Sequence, residues 1–378
     1  MIPRLLLSAV LLASLCIACT VARPPESAAP PTGSASAPAS GRAESSSTRT
    51  PLLEAPSGTG VLSFAPGSLG FSQSCLAEAG MVQTPEATDT PGPSPAASVP
   101  PTDTPAPAST SRPPLARALT PAPPQPYEPI PLVEDQDFRD DLLDILGDEA
   151  GHYAFVIKDL NSGRGAQLNA DRVFYAASVF KLWVMYEVFN QQAQGLVDWS
   201  NELVVTPYYE SFVLSPGGAQ LCEVLSVAEA TRLMLSISDN VAAILLQDLV
   251  GSGNVNTSIA KLGVKTSGLF EDGLPLTAED VALLLEAIAR GAAFSPDASA
   301  DMLQLMAGEL LNNGLKDGLP GEVVVAHKTG NWDDATHDVG VVFAPFGTYL
   351  FVALSDTNHE TQLIKALSEA AYAYFEDR

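Results

Sequence analysis

Three short stretches of this chain combine a nucleophile, a base and anion-binding groups. In Ser178-Val179-Phe180-Lys181 a hydroxyl and an amine stand three residues apart. If a helix opens at Ser178, Lys181 returns one turn later on the same face and its amine reaches the hydroxyl. Such help is needed, because a serine hydroxyl is a weak nucleophile until a base takes its proton. A helix N-terminus adds free N–H groups and a dipole that favour negative charge. Ser238-Asp239-Asn240 lies between Leu233, Leu235 and Ile237 on one side and Val241, Ile244 and Leu245 on the other. That is a polar connector held inside apolar helices, with a hydroxyl to shuttle a proton and an amide to bind a ligand; a helix cap uses the same letters. His327-Lys328-Thr329-Gly330 follows the strand-like Val323-Val324-Val325. A lysine and a threonine at a strand end can hold a carboxylate edge-on, and a following glycine lets a ligand approach the backbone. An exposed strand end with a turn reads the same way, and each motif alone is commonplace.

The elements around them have to bring the three together. Asp137 to Leu146 sets Phe138, Leu142, Leu143, Ile145 and Leu146 among acids, an amphipathic helix. Tyr153–Leu160 and Gly165–Leu168 read as strands joined at Asn161-Ser162-Gly163, and Val339–Pro345 and Tyr349–Leu354 as a pair joined through Gly347. Gln362–Phe375 is a closing helix, and the middle is helical over 178–194, 226–236, 242–249, 278–290 and 296–311. Strands near both ends and a helical centre predict an α+β fold. Its antiparallel sheet is built from both ends of the domain, with a mainly helical inserted subdomain.

The three motifs occur in the order S-x-x-K, S-D-N, K-T-G, with 60 residues from Ser178 to Ser238 and 90 from there to Lys328. In order, spacing and flanking elements the domain resembles the class A β-lactamases and the related penicillin-recognising serine enzymes. The resemblance implies that Ser178 attacks an amide carbonyl, that Lys181 helps to deprotonate it, and that Ser238 relays a proton to the leaving nitrogen. It further implies that Asn240 binds an acylamide side chain. Lys328, Thr329 and Gly330 would line the place for a substrate carboxylate, and the backbone N–H groups of Ser178 and Asn331 would form an oxyanion hole. No cofactor or metal is implied, and His327 is read as structural. The segment Leu262–Pro275 departs from the family, which carries a glutamate there in a pattern like E-x-x-L-N to direct the deacylating water. Glu271 and Asp272 are its only carboxylates, and either a general base or a solvated turn fits them. Three functions stay open: a β-lactamase conferring β-lactam resistance, a D,D-peptidase or related cell-wall acyltransferase acting on D-Ala-D-Ala peptides, and a β-lactam sensor that stays acylated.

Before the domain the composition changes. Of the 31 prolines, 24 lie between Pro24 and Pro131, among Ala, Ser and Thr that offer little to bury. Residues 20–126 therefore read as a disordered linker, spanning roughly 55–60 Å if flexible, and residues 127–378 as the enzyme domain. An apolar island, Val61 to Met81, is a candidate docking segment. Leu5–Leu15 is too short to cross a bilayer, and with Cys16-Ile17-Ala18-Cys19 it makes residues 1–19 a signal peptide of lipoprotein type. The expected location is extracytoplasmic, on the outer face of the bacterial cell membrane through a lipid on Cys19, or secreted if unlipidated. A Cys75–Cys222 bridge has no support in the spacing, and Cys222 is expected to be a small buried thiol. Residues from 127 onward carry 13 basic and 37 acidic groups, a net of −24. Such a field excludes nucleic acid as a partner and leaves anionic ligands to locally placed lysines. A monomer acting on small molecules is expected.

Overall fold

The computed structural model describes residues 69–78, 127–212, 217–358 and 360–378. The signal peptide, Cys19 and all of the linker but residues 69–78 lie outside them. The strands are β1 (Gly70–Phe71), β2 (Val133–Glu134), β3 (Tyr153–Asp159), β4 (Arg164–Leu168), β5 (Phe174–Tyr175), β6 (Glu202–Val204), β7 (Glu223–Ser226), β8 (Pro275–Leu276), β9 (Val324–Trp332), β10 (Ala335–Ala344) and β11 (Gly347–Ser355). The helices are α1 (Gln73–Glu78), α2 (Gln136–Leu146), α3 (Lys181–Ala193), α4 (Val227–Ser236), α5 (Asn240–Val250), α6 (Ser252–Leu262), α7 (Ala278–Ala289), α8 (Pro296–Ala307) and α9 (Thr361–Glu376).

The main sheet runs β2-β4-β3-β11-β10-β9, antiparallel except for the parallel β2–β4 pair. Distant segments complete it as expected: Phe351 of β11 stands opposite Ile157 of β3. Side chains alternate across a strand, so β3 feeds two cores. Tyr153, Phe155 and Ile157 enter the core covered by α2 and α9, where Phe138 stacks on Tyr374 with ring centroids 3.8 Å apart. Ala154 and Val156 enter the larger core beneath the inserted helices. Strand β11 does the same, with Tyr349, Phe351 and Ala353 on one side and Leu350, Val352 and Leu354 on the other.

Helices α3 to α8 fill the insertion between β5 and β9. Two of its features have no clear local signal in the sequence. Helix α6 is rich in Gly, Asn, Ser and Thr, poor helix formers; it is held by Val255, Ile259 and Leu262, which recur on one buried face. Helix α8 stops at Ala307, four residues short of the expected end, with Gly308 as its C-cap.

The described part of the apolar island, residues 69–78, docks on the domain. β1 adds an edge to a small sheet of order β1-β7-β6, with Gly70 opposite Val224 and Phe71 opposite Glu223. Cys75 is disulfide-bonded to Cys222, which corrects the expectation of a free buried thiol. No spacing rule could pair two cysteines that are 147 residues apart and joined through a proline-rich stretch. The fold brings them together because residues 69–72 pair with β7 immediately after Cys222, and Ser72 N–H donates to the Cys222 carbonyl at 2.8 Å.

Candidate active site

Ser178 sits in a 3₁₀ turn, Ala177–Phe180, and Lys181 is the first residue of α3 rather than lying one α-turn into a helix opened by Ser178. With three residues per turn, side chains at i and i+3 eclipse. Lys181 Nζ accordingly reaches Ser178 Oγ at 3.0 Å. The turn is entered through Ala177 at φ 43°, a left-handed conformation costing a residue with a Cβ on the order of 1–3 kcal/mol.

The second motif closes on the same amine. Ser238 also lies in the left-handed region, at φ 58°, and this folds both its polar groups onto Lys181: Nζ donates to Ser238 O at 2.5 Å and to Ser238 Oγ at 3.0 Å. Asn240 Oδ1 accepts from the same Nζ at 2.8 Å. Asp239 caps α5, taking the Ala242 N–H at 2.7 Å and, from the loop before Cys222, the Ala219 N–H at 3.2 Å. Burial outweighs these hydrogen bonds and raises its carboxyl pKa. Lys181 is fully buried. Burial first, then repulsion from Lys328, push its pKa down to about 7, against the attraction of Asp239 and Glu309. Near neutrality the site thus holds a substantial fraction of neutral amine, whose two N–H groups suffice for Ser238 O and Asn240 Oδ1 and whose lone pair is then left for the Ser178 proton.

The third motif lies on β9, the free edge of the main sheet, against the turn that carries Ser178. A Cβ on Gly330 would stand 3.0 Å from Val179 Cγ2 and 3.2 Å from the Ala176 carbonyl oxygen, so a larger residue would push the strand and this turn apart by a few tenths of an ångström. Thr329 N–H points out of this edge. Backbone N–H groups alternate along a strand, so the N–H of Asn331 leaves by the same edge, toward the nucleophile. Lys328 and Thr329 are both buried and engaged by Glu309, which follows α8. Lys328 Nζ is 2.5 Å from Glu309 Oε1, Thr329 Oγ1 donates to the same oxygen at 2.7 Å, and Thr329 N–H donates to Oε2 at 3.0 Å.

Two further residues shape the site. Glu309 was hidden inside a run read as helix through Leu311; Gly308 just before it was the available signal. His337 on β10 donates from Nε2 to the Tyr175 carbonyl at 2.8 Å and accepts the Ser355 N–H on Nδ1 at 3.2 Å. It is held neutral by burial, with its pKa lowered to about 4, and it pins the strand that leads to Ser178. His327 is structural in its contacts. Its ring bridges Asp338 Oδ1 at 2.8 Å and Asn312 Oδ1 at 3.1 Å; burial would lower its pKa, but the Asp338 carboxylate prevails and raises it.

The segment 262–275 passes beside the site without sending a carboxylate into it. Asp280, on α7, takes the N–H groups of Lys265, Thr266 and Ser267 at 3.0, 3.0 and 2.8 Å and fixes the start of the loop. The end is fixed by Leu274, whose carbonyl accepts from Ala176 N–H, and by Pro275 opposite Tyr175. Between them Glu271 and Asp272 are exposed at a tight turn closed by Phe270 and Gly273. Neither contacts Ser178 or Lys181, so the geometry fits Glu271 as a turn residue and not as a water-directing base.

A search of curated proteins finds no match. Among solved structures, one described as PBP-A aligns with TM-score 0.61 and 23% identity over 66% of this chain and 100% of its own. A β-lactamase from Sphaerobacter thermophilus aligns with TM-score 0.58 and 24% identity over 64% and 98%. One from Chitinophaga pinensis gives the same score and identity over 64% and 99%. These likenesses establish the fold. The profile described as the Beta-lactamase enzyme family matches residues 137–375, well over half of the 378-residue chain. That stretch carries all three motifs, and the chain belongs to this family of β-lactamase-like serine enzymes.

Proposed function

We propose that the protein opens β-lactam rings through an acyl-enzyme on Ser178 and then hydrolyses it, the activity that underlies β-lactam resistance. The observation that carries this reading, through its acylation step, is the placement of Lys181 Nζ 3.0 Å from both Ser178 Oγ and Ser238 Oγ, with an amine pKa lowered to about 7. The neutral amine takes the Ser178 proton as Oγ attacks the lactam carbonyl. The backbone N–H groups of Ser178 and Asn331 receive the oxyanion. As the carbonyl reforms, the ring C–N bond breaks. Ser238 gives its hydroxyl proton to the departing nitrogen and recovers one from the Lys181 ammonium, so the net transfer is of the Ser178 proton to the ring nitrogen. Asn240 Oδ1 is engaged by Lys181, which leaves the amide nitrogen as the donor for a substrate carbonyl. Tyr175 and Trp332, both exposed with ring centroids 6.2 Å apart, form an aromatic rim that suits an apolar acyl substituent.

A second reading is favoured by the exposure of Glu271 and Asp272: a D,D-peptidase or penicillin-binding acyltransferase, or a sensor, whose acyl-enzyme with β-lactams is long-lived. A structural neighbour at 22% identity, a point mutant of PBP-A, is itself described as an acyl-enzyme complex with penicillin G. The test is to incubate protein with fluorescent penicillin and then chase with unlabelled drug. Label that forms on the wild type, is absent from Ser178→Ala, and decays during the chase supports hydrolysis. Label that stays supports the second reading, and label on Ser178→Ala removes Ser178 from its role. From the leader sequence, we propose an extracytoplasmic location with a lipid on Cys19.

A further inference from the structure

The pair of residues suited to hold a substrate carboxylate is already holding one. Both oxygens of Glu309 are bound by the third motif, one by Lys328 Nζ and Thr329 Oγ1 and the other by Thr329 N–H. The side chains of Lys328 and Glu309 are both 0% exposed, so this is an interior ion pair rather than a surface contact that solvent would loosen. Glu309 is fixed from behind as well, because the next residue, Leu310, donates its N–H to the carbonyl of Ser236 at 2.8 Å, two residues before Ser238. The carboxylate thus stands on the free edge of β9, between the second and third motifs and two residues along the strand from the Asn331 N–H. It is near enough to Lys181 to act on that amine.

We infer that Glu309 is a specificity-determining residue: it fills the anion position of the Lys328–Thr329 pair, so that the enzyme favours acyl donors that are uncharged where such a pair would otherwise bind a carboxylate. The inference rests on the acylation of Ser178 proposed above. Its physics is simple. The one lysine charge at that point is already neutralised, both threonine donors are in use, and an incoming carboxylate meets a like charge of low solvent exposure. At an effective dielectric near 20 a like charge about 5–10 Å away offsets the attraction of Lys328 by roughly ten- to several-hundred-fold in binding. The substrate class that fits is a β-lactam ester or amide, or an acyl peptide whose end at this position is amidated or continues into further chain.

The test compares benzylpenicillin with its methyl ester as acylating agents of Ser178, by intact mass against time, in the wild type and in Glu309→Gln. The expected result is a wild type acylated by the ester at least as fast as by the free acid. In Glu309→Gln the ratio of the free-acid rate to the ester rate should rise at least ten-fold over that of the wild type. A wild type that prefers the free acid ten-fold or more overturns the inference without any variant, so a misfolded Glu309→Gln cannot rescue it. A folded Glu309→Gln whose acid and ester rates fall together also overturns it, assigning Glu309 to structure alone. Labelling by neither compound removes the acylation reading and this inference with it, a result distinct from the other two.

Discussion

Lys181 Nζ stands 3.0 Å from Ser238 Oγ, a residue 57 positions away in the chain, and at the same distance from the Oγ of its near neighbour Ser178. A single amine therefore joins the hydroxyl that must lose a proton to the hydroxyl that must pass one on. Its lowered pKa gives the arrangement a pH dependence with a definite sign. The reactive form is the neutral amine, which is the minor species below about 7 and the major one above it. The acylation rate constant should fall about ten-fold per pH unit below that point and level off above it. Lys181→Ala should lower it by about 10²–10⁴-fold. Stopped-flow acylation with a chromogenic β-lactam between pH 5 and 9 checks both, and a flat profile would speak against Lys181 as the base.

Asp239 ties the second motif to the loop before the disulfide through Ala219 and caps α5 through Ala242. Asp239→Ala strands two buried N–H groups and should cost roughly 1–3 kcal/mol of stability, with acylation reduced because Ser238 loses its left-handed setting. Asp239→Asn keeps an acceptor and should recover most of both losses. Urea unfolding alongside acylation kinetics on the two variants measures this.

His337 ties stability to acid. Its folded pKa of about 4 lies below the ordinary 6.5, so the unfolded chain takes up the proton first. The contribution is fully present above about pH 6.5 and is lost progressively down to about pH 4, at about 1.4 kcal/mol per unit and about 3 kcal/mol in all. Other groups titrate in the same range, so the informative quantity is the difference from His337→Gln. Stability of the wild type should fall more steeply than that of the variant between pH 6.5 and 4; parallel curves would contradict the assignment.

The Cys75–Cys222 bond closes a loop of 147 residues and fastens β1 to the edge of β7. Replacing both cysteines by serine should lower stability by roughly 2–4 kcal/mol. Thermal melts should show the reduced wild type and the double variant coinciding, both below the oxidised protein.

Much of this was legible in the sequence for physical reasons. Apolar runs such as 153–157 and 349–354 announce buried strands, and the spacing of Ser178, Ser238 and Lys328 carries the family's order. Glu309 was not legible, since a lone acid after Met306-Ala307-Gly308 looks like the solvated side of a helix; only the end of α8 at Ala307 turns it inward. His337 lies two residues before the strand expected from Val339, and its partner Tyr175 lies 162 positions away. The disulfide was hidden for the same reason. Contacts between distant segments leave no local pattern, whereas a turn such as Ala177–Phe180 leaves one that differs from an α-helix only in which neighbour eclipses which.

The proposed chemistry has Ser178 as the acylated residue and Lys181 as its base. Its most direct test is intact mass of the protein with benzylpenicillin or its methyl ester, sampled in time at pH 6 and pH 8, with the adduct located by peptide mapping. A single acyl adduct on Ser178 is expected, formed faster at pH 8 than at pH 6 and absent from Ser178→Ala. An adduct elsewhere, or none with either compound at either pH, would contradict it.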